Sequence, residues 1–123
     1  MLFEQAAMQS FAGRCLINRP RLMMGPHDPT DRLSWWVQRL QRGGPVLAPH
    51  EPDTPAQFID ARDAAAWMLQ QAEQATTGVF KLTGPAQPLT FGGVLTQARD
   101  TLNPSAPLHR VAEQHLLDAG VAP

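Results

Sequence analysis

The chain has no tyrosine, one lysine (Lys81) and one cysteine (Cys15) among its 123 residues. It therefore contains no Tyr–Lys pair for acid–base chemistry, and no internal disulfide can form. Cys15 stands in the apolar run Arg14-Cys15-Leu16-Ile17, where a buried packing thiol is expected and nothing adjacent would activate a nucleophile. No glycine-rich turn of the type GxxGxxG occurs, so these residues offer no turn for a dinucleotide phosphate. The three serines, Ser10, Ser34 and Ser105, lie in no nucleophile elbow, which leaves a hydrolase triad without a basis. No apolar run approaches the ~20 residues that cross a bilayer, and no basic segment precedes an apolar core at the start. A membrane partner is not expected, and the cytoplasm is the expected compartment. A net charge of −1 and a pI near 6.4, without a basic run, speak against a nucleic-acid partner.

What is present suits one domain: 43% hydrophobic residues supply a core for a single α/β unit spanning 1–123. There are 12 prolines, about twice the usual ~5% share, but they cluster between Pro20 and Pro55, where they stiffen two connections around one helix. Strand and helix signals alternate along the chain. A helix end over Met1–Phe11, stopped by Gly13, precedes a strand over Arg14–Asn18. A Pro-rich loop leads to a helix from Arg32 to Gln41, with Thr30 or Asp31 as cap and Leu33, Trp36, Val37 and Leu40 on its apolar face. A short strand over Pro45–Ala48 follows, then an extended Phe58-Ile59. Asp60 caps a helix reaching about Gln74, with Ala61, Ala65, Met68 and Ala72 expected inward. Val79–Leu82 reads as a strand and Thr90 as the cap of a helix burying Phe91, Val94, Leu95, Ala98 and Leu102. Leu108–Val111 reads as a last strand, and Ala112–Ala119 as a final turn or two. This alternation predicts an α/β fold.

Three blocks carry a resemblance. Arg19-Pro20 followed by Gly25-Pro26 is similar to a strand-then-RPxxxxGP connection. Phe58-Ile59-Asp60-Ala61-Arg62-Asp63-Ala64-Ala65 is similar to an F-(I/V)-x-V-x-D-x-A segment, and Gly78-Val79-Phe80-Lys81-Leu82-Thr83-Gly84 with Thr90 to a G-x-(Y/F)-N-x-x-G strand and the following cap. In this order the chain resembles the C-terminal half of an extended short-chain dehydrogenase/reductase, of the NAD(P)-dependent epimerase/dehydratase family. The resemblance implies the C-terminal part of a doubly wound, Rossmann-like parallel sheet plus a small substrate-binding lobe. The strands at 14–18 and 78–82 would lie side by side, and those at Val46 and His109 would pair in the lobe. It implies NAD or NADP as cofactor of an intact relative, with none bound by this chain alone, and a small-molecule substrate. Met1–Ala12 resembles the tail of the family's catalytic helix, so the Tyr-x-x-x-Lys pair would stand upstream. The chain then reads as a truncated product without the nucleotide-binding domain, one that pairs with a separate nucleotide-binding half or self-associates through an open sheet edge. A noncatalytic module that binds a small molecule or a partner chain is the alternative.

No catalytic residue and no metal site is expected. The resemblance places Pro20 against the nicotinamide end of a dinucleotide, where a fixed φ and a missing N–H let the backbone approach closely; ending the strand is its other role. Leu22 and Met23 supply apolar contact beside it or belong to the core. Arg19, Arg21 and Arg32 bracket the loop and suit an anionic substrate group, or else pair with Asp28 or Asp31. His27, on the substrate side, forms with Asp28 either a general-base pair or a loop-ordering hydrogen bond, and the pair lacks the further ligands of a metal site. Trp35 projects from the polar side of its helix, about 200° from Leu33, and needs a cleft or a loop to cover it. Gln57 stands where nucleotide-sugar relatives carry an arginine, which favours a smaller or less charged substrate. Asp60 and Asp63 read as cap and dipole complement, and His50, His109 and His115 form no constellation.

Overall fold

The structure, a computed structural model, describes residues 2–120. Along the first half run α1 (Leu2–Ser10), β1 (Leu16–Pro20), β2 (Leu22–Met24), α2 (Arg32–Arg42), β3 (Val46–Pro49), β4 (Pro55–Ala56) and β5 (Phe58–Asp60). The second half contains α3 (Ala61–Glu73), β6 (Gly78–Leu82), β7 (Leu89–Thr90), α4 (Phe91–Leu102), β8 (Leu108–Val111) and α5 (Glu113–Asp118). The fold is mixed α/β. Among the described residues the strands pair two by two: β1 with β6, β2 with β5 and β3 with β8 in parallel, and β4 with β7 antiparallel. Contacts divide the chain into two compact units, residues 1–28 with 57–85 and residues 29–56 with 86–123.

In the first unit, Leu16↔Gly78 through Pro20↔Leu82 set the β1–β6 register, so the expected side-by-side placement of these strands is observed. The β1 strand lies two residues later than the apolar run suggested, because Gly78 N–H already bonds the Cys15 carbonyl at 2.9 Å and regular pairing starts after it. Cys15 is half-buried, less enclosed than expected. The segment read as loop after Pro20 contains β2, which pairs with β5. Its three residues are too short a stretch to show alternation, and only the partner strand defines it. Ile59, Ala64 and Leu82 form this unit's core, with Trp67 and Met68 packed against them.

The inward face of α3 needs correction. Ala64 is buried, Trp67 and Met68 are half-buried, and Ala65 and Ala72 are exposed. The docked face is rotated from the small-residue stripe because the Trp67 ring packs edge-on against Phe80 of β6, 5.3 Å between centroids. Asp60 caps the helix as expected, its carboxylate accepting from Arg62 N–H at 2.8 Å.

In the second unit, Leu40, Val46 and Ala106 are buried together and Trp36, Ala98, Leu102 and Leu108 pack around them. Burying a side chain such as Leu40 or Val46 is worth roughly 2 kcal/mol, which makes this cluster the anchor of α2, β3, α4 and β8. Val46↔Leu108 through Pro49↔Val111 form the expected pair. Helix α2 buries the face anticipated for it, and Trp36 meets Phe91 of α4 edge-on at 5.7 Å. Asp31 holds the expected cap position, at φ 49°, but makes no side-chain capping hydrogen bond. The end of α2 is closed by Arg39, which donates to the carbonyls of Gly43 and Pro45, and by Asn103, whose amide reaches the Leu40 carbonyl at 3.3 Å. Thr90 caps α4 through Gly93 N–H at 3.1 Å.

Candidate functional site

Most of the residues singled out from the sequence belong to the first unit, at the carboxyl end of β1, along β2 and its following loop, and just before β5. Pro20 ends β1 beside Leu82 and is exposed. Its nitrogen, which lacks an N–H, faces away from β6, and the ladder to β6 continues through Arg21, whose N–H donates to the Leu82 carbonyl at 2.9 Å. Leu22 and Met23 follow on β2, opposite Phe58 and Ile59. Leu22 is half-buried, while Met23 is 46% exposed and free to touch a ligand. Gln57, exposed, immediately precedes Phe58 and so lies at the start of the strand that pairs with Leu22. His27 is exposed in the loop after β2, at φ 69°.

Two glycines hold this end together. Gly84 follows β6, and a Cβ there would collide with the Phe58 carbonyl oxygen, so the turn after β6 lies directly on β5. Gly25, at φ 142°, lies beside Asp60 and the Ala61 N–H at the start of α3. Asp60 accepts from Arg62 Nε at 2.9 Å and Nη2 at 2.7 Å as well as from its N–H. The Arg62 hydrogen bonds hold the Asp60 carboxyl down at about 2, so it stays a charged cap and is no proton donor near neutral pH.

Arg19 is committed elsewhere. Its Nε and Nη2 donate to the two carboxylate oxygens of Glu4 at 2.9 and 2.5 Å. That hydrogen-bonded pairing holds Glu4 below, and Arg19 above, its ordinary range. Arg21 remains exposed at the strand end and is a cation this ledge offers. Glu4 was not singled out in the sequence, since it lies 15 residues from Arg19 and nothing local connects them. Asn18 was also missed: its Oδ1 is buried without a hydrogen-bond partner, although one polar residue inside an apolar strand was a visible signal.

No family model and no curated protein matches this chain.

The other two candidates, Arg32 and Trp35, belong to the second unit. Arg32 opens α2 and is exposed; Trp35 is 54% exposed, its ring edge-on to Trp36 at 4.8 Å. A groove of about 540 Å³ in this unit is lined by Pro52, Asp53, Gly92, Gly93, Gln97 and Arg110 among others, and by neither Arg32 nor Trp35. Among the described residues no group of three or more His, Cys, Asp or Glu side chains is placed to hold a metal ion, and no helix is long and apolar enough to cross a membrane. Chemically, the first unit presents a backbone ledge with an apolar contact (Met23), a fixed-φ proline and exposed cations that include Arg21, and it can position a ligand.

Proposed function

We propose that these residues form the cofactor-facing strand end and substrate-binding lobe of an NAD(P)-dependent epimerase/dehydratase-like oxidoreductase, inactive by themselves. In this reading the sheet is the C-terminal part of a doubly wound one. Pro20, with Leu22 and Met23, lies against the nicotinamide. Arg21, His27 and Gln57 of the first unit belong to the substrate side, and the substrate is a small molecule. Hydride transfer and acid–base chemistry come from a nucleotide-binding half outside these 123 residues.

The observation that carries the reading is the parallel β1–β6 register, which places the first and third family-like blocks side by side with Pro20 at the carboxyl end. The exposed surface adds support. Six of the large apolar side chains exposed among the described residues, Phe3, Met8, Phe11, Met23, Leu69 and Val79, fall in the first unit. Parallel strands are ordinarily covered on both faces, so this unit is built to be covered. The same exposure favours a second reading, a noncatalytic module that holds a partner chain or a second copy there.

The DNA upstream of codon 1 separates the two. A nucleotide-binding half predicts about 150 to 200 codons encoding a glycine-rich turn and a Tyr-x-x-x-Lys pair, in frame or one frameshift away. A promoter and start site at Met1, with no such codons, would overturn the oxidoreductase reading in favour of the module.

A further inference from the structure

Helix α1 has little to hold it. Its nine residues fall short of the ~12 to 15 at which an isolated helix becomes even marginally stable in water. Phe3, Met8 and Phe11 are 91%, 50% and 54% exposed, so burial contributes little. Among the α1 positions whose burial is described, Glu4 and Ala7, one turn apart, are half-buried and mark the side that faces the rest of the unit. From that side Glu4 meets Arg19 through two parallel hydrogen bonds, the fork geometry in which guanidinium and carboxylate interact most strongly. Successive strand residues point to opposite faces, so Arg19 grips α1 on one face while Asn18 and Pro20 point to the other.

We infer that Glu4 and Arg19 form a clamp fixing α1 on the strand end that leads into Pro20, which makes Arg19 a positioning residue and not a substrate ligand. The inference rests on the proposed function in one respect: there α1 continues the helix that carries the acid–base pair, so the clamp sets the distance between that helix and the nicotinamide-facing proline. Both arms of the Arg19 fork are used in it, while Arg21, at the end of the same strand, is exposed. A lysine at position 19 would keep the charge and lose the fork.

Amide hydrogen exchange in the full 123-residue chain tests the clamp. Glu4→Gln, Arg19→Gln and Arg19→Lys should each speed exchange of the α1 amides about two- to fivefold, the range for an exposed but well-aligned pair. The Ala64 and Leu82 amides in the core of the same unit should keep their rates. The charge-swapped double variant Glu4→Arg/Arg19→Glu should restore the α1 rates, which a role confined to packing would not produce. Unchanged α1 rates in the single variants, uniform acceleration across the unit, or a swap that restores nothing would each overturn the clamp. These rates are read without cofactor or substrate, so they are independent of the upstream codons that decide the proposed function.

Discussion

Ala75 ends α3 in a conformation that suits glycine. At φ 52° it stands just past the cap, with its N–H bonded to the Ala72 carbonyl at 3.0 Å and the Thr76 N–H bonded to Gln71 at 2.9 Å. These are the two bonds of a Schellman closure, whose left-handed residue is usually glycine. Left-handed backbone costs a residue with a Cβ roughly 1 kcal/mol or more. Ala75→Gly should therefore stabilise the chain by about 0.5 kcal/mol after the added unfolded-state entropy is subtracted, read as a midpoint shift of a few tenths molar or less in urea. A loss of stability would show that the closure is not what limits this end. Gly84 is the opposite case. Its Cβ site is occupied by the Phe58 carbonyl oxygen, so Gly84→Ala must move backbone and should cost about 3 kcal/mol or more. A Gly84→Ala protein with wild-type thermal stability would contradict the contact between the turn after β6 and β5.

At the scale of elements, the first turn of α3 depends on ionised Asp60. Its carboxyl is held at about 2 by Arg62, against about 3.9 for an unperturbed aspartate. A depressed folded value means that the contribution is complete above about pH 4 and is lost as pH falls through about 2. The Arg62 amide should thus stay protected from pH 7 to 4 and lose protection between pH 3 and 2; a midpoint near 4 would show that the Arg62 bonds do not form in solution. The Asp60 cap was legible in the sequence because a short acidic side chain before an apolar-periodic run has one dominant use. The apolar face of α2 was legible too, since Leu33, Trp36, Val37 and Leu40 repeat at helical spacing and are on the docked side. The rotation of α3 was not. Its alanines gave a stripe of little weight, and one large ring, Trp67 against Phe80, decided the orientation through a partner 13 residues away. β2 and β7 escaped notice for a related reason: strands of two or three residues are defined by what they pair with.

At the scale of the whole molecule, the parallel pairs at 16–20 with 78–82 and at 46–49 with 108–111 agree with the pairings that the resemblance implied. The fate of Arg19 could not be anticipated, because Glu4 reaches it across a helix, a turn and half a strand. What the pairing leaves over defines the account: a two-stranded parallel sheet, an unpaired buried acceptor on Asn18, and apolar side chains facing outward from the same unit. The first and the last are local costs that a covering partner would remove. In the proposed reading β1 and β6 are one margin of a larger sheet. Amide exchange along Leu16–Pro20 in the isolated chain tests it most directly. The account predicts two classes, protected N–H groups that face β6 and fast-exchanging ones on the outer edge; uniform protection along β1 would mean the edge is already covered, and would contradict it.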